Sequence, residues 1–478
     1  MNLTTRHTQA LNHTGGHASL VFVGVVLLSL FYALLSQNPT LTICALIVLS
    51  IGLAILLRKG EPPVLAYIFM FQWAQSAGAI FYANTLGQNV DLISTNGSNI
   101  EFAIVLSMLG LLALVIGIRI AAGPPLTNYG EFARHQAQHI PQKRWFMLYV
   151  ATTIVAFLAI AMAQRIPGLS QPLLALADLK WAGFVIFTFA TFSNPKASRV
   201  LWGFIFLFEF VSSIGGFFSN FKSVFIFSLF GIVAARTKFS LSQNLSIAAL
   251  FGLLLALGIV WSAIKPDYRS FVIEGEAAST EPMSYAERVE KLAKLVGDLD
   301  TEQTQEAISK LIERIIYVEY FGAAIDYVPK YVPHQNGALW LESVSRPFMP
   351  RLFFPNKAPI DDSILTSTYT GINVAGADHG TSISIGYMGE SYIDFGPYGM
   401  MIAIFFLGLV LGGIYRWLMT SPRSAGIIGM GLVSSILMSA SAIENSILKL
   451  GGTIVVSILV AFIIDRFVVP RITPLLLR

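Results

Sequence analysis

The chain has 478 residues, 55% of them hydrophobic and only 12% charged, with a net charge of +4 and a mean hydropathy of +0.67, whereas a soluble domain carries about 25% charged residues. Repeated apolar runs of roughly 18 residues or more mark a protein that crosses a membrane many times. One cysteine, Cys44, excludes an intrachain disulfide and a cysteine metal cluster.

The first twenty residues, MNLTTRHTQALNHTGGHASL, are too long and polar ahead of the first apolar run for a cleaved signal peptide. His7, His13 and His17 lie there without flanking carboxylates, so the segment reads as a polar cytoplasmic tail rather than a metal site. Twelve apolar spans follow, at 18–36, 40–57, 63–83, 101–122, 145–164, 174–192, 199–218, 222–236, 243–263, 397–415, 424–441 and 450–468. The run at 222–236 is short and needs local thinning of the bilayer or help from its neighbours. The expectation is an all-α polytopic membrane protein in three parts. Residues 1–263 form an N-terminal bundle of about nine helices, 264–396 one large external loop, and 397–478 about three C-terminal helices. Asp178 and Glu209 are the main acids inside the spans and show no paired pattern, and no internal repeat of the kind found in many secondary transporters is visible.

Lys and Arg collect in cytoplasmic loops. With the N-terminus inside, sixteen cations face the cytoplasm, among them Arg58, Lys59, Arg119, Lys143, Arg144, Arg416 and Arg466. The short outer loops carry only Arg165, Lys222 and Lys449, with Lys180 near an outer helix end. Both termini are therefore expected in the cytoplasm. The 133-residue segment 264–396, with 11 basic and 19 acidic residues, is expected outside.

That segment divides in two. Residues 284–328 have helical periodicity, with Leu292, Leu295 and Val296 on one face, and Asp300 or Thr301 can cap a second helix. Residues 329–395 are irregular and rich in Pro, Gly and aromatics, which is tolerable near a membrane only where protein or a water-filled cavity satisfies the backbone. Within it, RPFMPRLFFPNKAP (346–359) holds Arg346, Arg351 and Lys357 on a frame of four prolines. Prolines fix φ and remove donors, so this ribbon is not an ordinary helix. On the outer side, against the usual charge bias, its cations suit an anionic ligand such as a diphosphate; interfacial anchoring to headgroups is the competing reading. Lys222, in GGFFSNFKS at the start of a span, and Arg269, in WSAIKPDYRSF where the chain leaves the membrane, are further candidates. In GADHGTSISIGYMGESYIDFG (376–396), His379 and Glu390 are the best-placed general bases, with His334 a third. Each can equally be a polar residue solvating a loop. No HExxH, P-loop or GxSxG motif occurs.

These stretches, RPFMPRLFFPNKAP, TSISIGYMGESYIDFGPYGM, FSNFKS and YRSF, together with many spans and one large loop in the second half, resemble O-antigen and exopolysaccharide polymerases of the Wzy type. The resemblance implies a GT-C-like helical enzyme in the bacterial inner membrane, with its site facing the periplasm. Such an enzyme moves a growing glycan from polyprenyl diphosphate to the sugar of an incoming lipid-linked repeat unit. It implies no metal or other cofactor, no nucleic acid, and as partners membrane lipids, a flippase and a chain-length regulator. Arg346, Arg351 and Lys222 match its basic positions and Glu390 its acidic one. The Arg-x10-Gly spacing of some O-antigen polymerases is absent, because Lys357 and Asp362 stand where glycine would follow Arg346 and Arg351. A ligase, or a flippase for the same lipid-linked glycan, is the alternative.

Overall fold

The computed structural model describes residues 27–213, 221–236, 241–278, 284–300, 303, 306, 311, 316–349, 353–354, 356–358, 360–376 and 382–477. Among these the secondary structure is helical throughout. Seven helical stretches are long and apolar enough to cross a membrane: Pro39–Leu56, Val64–Thr85, Ile100–Ala122, Gln142–Arg165, Ser170–Ser193, Tyr387–Thr420 and Ile447–Leu476. They coincide with seven of the expected spans. In chain order the helices are α1 (Pro39–Leu56), α2 (Val64–Thr85), α3 (Ile100–Ala122), α4 (Tyr129–His139), α5 (Gln142–Arg165), α6 (Ser170–Ala177), α7 (Leu179–Ser193), α8 (Arg199–Ser213), α9 (Phe221–Ala235), α10 (Leu241–Ala278), α11 (Tyr285–Gly297), α12 (Glu319–Tyr327), α13 (Ala338–Ser345), α14 (Asp362–Thr370), α15 (Tyr387–Thr420), α16 (Ile427–Leu437), α17 (Ile447–Ile463) and α18 (Val469–Leu477).

The remaining expected spans take other forms. Residues 27–35 are helical, within the expected 18–36. Helix α9 has 15 residues, about 22 Å at 1.5 Å per residue, short of a hydrocarbon core of about 30 Å. Helix α10 does not stop at 263; it continues through Pro266 to Ala278, and Ile264, Tyr268 and Val272 bury themselves against Leu292 of α11. The bundle and the hydrophilic segment are therefore joined by continuous helix. Ser284 and Glu287 form a capping box at the start of α11. Asp300 also caps, accepting from the Gln303 backbone N–H at 2.7 Å.

Helix α15 is two arms joined at Gly396, whose φ of 69° lies outside the helical region. Met388 in the first arm and Ile404 in the second both lie beside Gly110 of α3. On a straight helix those two residues would be about 24 Å apart, so the chain reverses at Gly396–Pro397. The expected start of a span at 397 is this reversal. The second arm then packs along α3 with almost no side-chain layer between the backbones. A Cβ on Gly117 would stand 2.2 Å from the Phe405 carbonyl, and one on Gly408 or Gly412 would meet the carbonyls of Leu114 or Ile118 at 2.4 and 2.5 Å. Small residues four apart permit this approach where apolar burial gives helices little reason to associate.

The hydrophilic segment folds into the bundle. Helix α12 sits on the start of α3, where Glu319 accepts from the Asn96 N–H (3.0 Å) and Ser94 hydroxyl (2.8 Å) and Asp326 accepts from the Asn99 N–H (2.9 Å). Just before α12, the Tyr317 N–H donates to the Gln75 carbonyl at 2.9 Å. Gln75 lies halfway along α2, about 15 Å from its Thr85 end. Residues 316–318 have no helical pairing of their own, so contact with protein at this depth satisfies backbone that lipid could not.

Candidate functional site

Two irregular stretches, 382–386 and 441–446, meet halfway along α2, whose amides hold the second stretch and the residues flanking both. Gln72 donates to the Ala440 carbonyl (2.7 Å) and accepts from the Tyr387 hydroxyl (2.8 Å). Gln75 accepts from the Ile443 N–H (2.7 Å) and donates to Glu444 (3.3 Å). Tyr387, just past the first stretch, donates its N–H to the Asn445 carbonyl of the second at 2.8 Å. Gly386 makes the crossing possible: its φ is 87° and a Cβ would lie 2.4 Å from the Ile443 carbonyl. Helix α16, its 3-10 extension Met438–Ala440 and the first arm of α15 thus end or begin inside the bundle.

Glu390 is on that first arm, fully buried. One carboxylate oxygen accepts from the Ile447 N–H, which opens α17, at 2.7 Å; the other is 3.4 Å from the Ser384 hydroxyl. A carboxylate at a helix N-terminus satisfies an orphan donor and opposes the positive end of the helix dipole. Asp394, one turn on, accepts from the Leu339 (3.2 Å) and Trp340 (2.9 Å) N–H groups and so caps α13. Ser343 of α13 donates to the Ile447 carbonyl at 2.7 Å. His334 lies beside the reversal, its Nδ1 3.2 Å from the Ile393 carbonyl. Glu390 therefore fixes the junction from which α13 and the ribbon depart.

The ribbon begins at the end of α13. Arg346 pairs with Glu342 at 2.6 Å, and its guanidinium also donates to the Ala358 carbonyl. Lys357 donates to the carbonyls of Arg346 (2.5 Å) and Met349 (3.0 Å). The two cations thus close the ribbon on itself. Phe348, Phe353 and Phe354 are exposed along it, as on a surface meant to meet lipid. Arg351 and His379 lie outside the described residues. Lys222 is exposed at the start of α9 and Arg269 is half-buried in α10; these helices pack on each other, whereas Glu390 binds the start of α17 and Arg346 follows α13, which packs on α17.

Sequence reasoning missed the residues at the mouth of the junction. Asp362, which opens α14, is buried and pairs with Lys449 of α17 at 2.5 Å. Ser382 joins both, donating to Asp362 at 3.2 Å and accepting from Lys449 at 2.9 Å. Asp362 Oδ1 is buried with no hydrogen-bond partner. Tyr317, whose hydroxyl donates to the Ser384 carbonyl, is held above the ordinary phenol range by burial and then by the nearby charges of Glu444 and Asp362. Gln72 and Gln75, three apart in an apolar span, were the available signal, because amides facing the inside of a bundle need partners there. Glu209 is likewise paired: it is buried on α8, 2.5 Å from Lys180, and accepts from the Tyr149 hydroxyl.

Fold and site together define a helical membrane protein whose long hydrophilic segment returns into the bundle and builds a charged junction there. A family model described as a domain of unknown function, DUF8712, matches residues 63–418, and the chain belongs to that family. The match takes in α2, α3, the reversal and the ribbon, and stops before α16 and α17. No curated protein and no solved structure matches the chain.

Proposed function

We propose that the protein polymerises lipid-linked oligosaccharide repeat units, moving a glycan from polyprenyl diphosphate to the sugar of an incoming polyprenyl-diphosphate-linked unit. In this reading the bundle is GT-C-like with about twelve spans, both termini are cytoplasmic, and the junction faces outward from the bacterial inner membrane. A flippase would deliver the substrate and a chain-length regulator would set the product. The observation that carries the reading is the adjacency of a cationic ribbon, exposing three phenylalanines, to a junction holding Asp362, Glu390 and Lys449. The phenylalanines suit the lipid interface and the cations a diphosphate beside it. A sugar on a diphosphate is already activated, so the protein must position two substrates, stabilise the departing charge and accept one proton. Arg346 has five N–H donors, more than its bonds to Glu342 and Ala358 consume.

The test is purified protein with polyprenyl-diphosphate-linked repeat unit extracted from the producing cells, products being resolved by size. A ladder of longer glycans is expected. Arg351→Ala and Arg346→Ala should abolish the ladder while still inserting in the membrane, and normal polymer length in both would overturn the assignment. Single transfer to a different acceptor would instead mean a ligase. One observation favours a transporter as the second reading: helix ends at half-depth, at Ala440 and Tyr387 beside Gln72, are what broken-helix transporters use to hold ions and substrates. Movement of the lipid-linked unit across vesicles without any new glycosidic bond would select it.

A further inference from the structure

The transfer proposed above needs a group to take the acceptor's proton, and the junction offers three buried carboxylates with unequal freedom. Glu390 has both oxygens occupied, by Ile447 N–H and Ser384. Asp394 has both occupied by α13 N–H groups. Asp362 uses one oxygen for Lys449 and Ser382, while Oδ1 is buried with no partner. Buried carboxylate oxygens are ordinarily satisfied, because leaving one without a donor forfeits its hydration. The Lys449 side chain is 42% exposed while Asp362 is 3% exposed, so the pair runs from the surface to the buried oxygen. An incoming O–H group would supply the missing donor.

We infer that Asp362 Oδ1 receives the acceptor sugar's hydroxyl and is the proton acceptor of the transfer, with Lys449 as the cation that follows the charge; this rests on the polymerase reading. In the step, the bond between the sugar's anomeric carbon and the diphosphate oxygen breaks, and the diphosphate leaves with the electron pair. The acceptor oxygen forms the new glycosidic bond to that carbon, and its proton passes to Asp362. A carboxylate is a weak base. It suffices here because oxocarbenium-like transition states break the leaving bond early and acidify the attacking hydroxyl as the bond forms. Once Asp362 is neutral, Lys449 has lost its counter-charge while the diphosphate has gained one, so the ammonium is released toward the leaving group. Ser382, bonded to both, keeps the pair in register. Glu390 then acts as a positioning residue, through α17.

The extension assay with extracted polyprenyl-diphosphate repeat unit tests this through Asp362→Ala, with and without added formate. Wild-type protein should build a ladder. The variant should lose turnover at least 100-fold, and formate, a small carboxylate able to occupy the vacated space, should restore at least tenfold. A merely structural Asp362 would not respond to formate. Should Asp362→Ala fail to fold, Asp362→Asn serves: the same loss of turnover with an unchanged unfolding midpoint is expected. Turnover near wild type in the Asn variant, or a folded, inactive Ala variant that formate leaves inactive, overturns the inference while the polymerase reading stands. Absence of any ladder from wild-type protein overturns the polymerase reading, and this inference with it.

Discussion

Glu390 shows how one residue type serves two purposes that sequence cannot separate. Its place in GYMGESYIDFG marks an acid close to a span, and in the structure it is fully buried and bound to the first N–H of α17. If capping is its work, an oxygen acceptor matters more than a charge. Glu390→Gln keeps an amide oxygen for the Ile447 N–H, and its unfolding midpoint in detergent should stay close to wild type. Glu390→Ala orphans that donor and should cost about 1–3 kcal/mol. Equal losses in the two variants would show that charge, not capping, is what the site requires. The ribbon cations carry a similar lesson. Arg346 and Lys357 were legible as cations of a proline-rich ribbon, but their bonds to the Ala358, Arg346 and Met349 carbonyls depend on a three-dimensional path of the chain that spacing does not encode.

At the scale of elements, the pairing of α3 with the second arm of α15 sets the frame on which the junction hangs. Its backbones approach at Gly117, Gly408 and Gly412, where any side chain would meet a carbonyl at 2.5 Å or less. Gly117→Ala should therefore cost about 3 kcal/mol or more as overpacking, read as loss of monodisperse protein in size-exclusion chromatography. Gly203→Ala on α8 is the control: its Cβ meets nothing within 4 Å, and higher helix propensity should leave the protein at least as stable. Equal behaviour of the two variants would remove the close approach. Seven of the twelve expected spans were legible as helices long and apolar enough to cross a membrane, because long apolar runs have few alternatives near lipid. The reversal at Gly396 was legible only as a boundary at 397. Nothing in the sequence states that the nine residues before it rise as a helix from halfway along α2.

The whole molecule turns on which face carries the hydrophilic segment. Charge bias gives an orientation, and the fold gathers the loop 94–99, α12, α13 and the ribbon around one end of the bundle. In a Cys44→Ser background, a single cysteine replacing exposed Asn356 should react with a membrane-impermeant maleimide in intact cells. One replacing exposed Lys59 should react only after lysis. The reverse pattern would invert the topology and overturn the outward-facing site proposed above.

By itself the sequence determined a helical, membrane-crossing chain with a long polar insertion, since apolar length and the placement of Lys and Arg are one-dimensional properties that bilayers read directly. It also marked the ribbon and the acid-bearing stretch that becomes the first arm of α15. Only the tertiary structure decided that the insertion re-enters the bundle, that Gln72 and Gln75 clamp two irregular stretches from opposite halves of the gap between α14 and α17, and that Asp362 meets Lys449. Those contacts join residues from 72 to 449, and each exists because buried polar groups must find partners wherever the packed backbone happens to bring them.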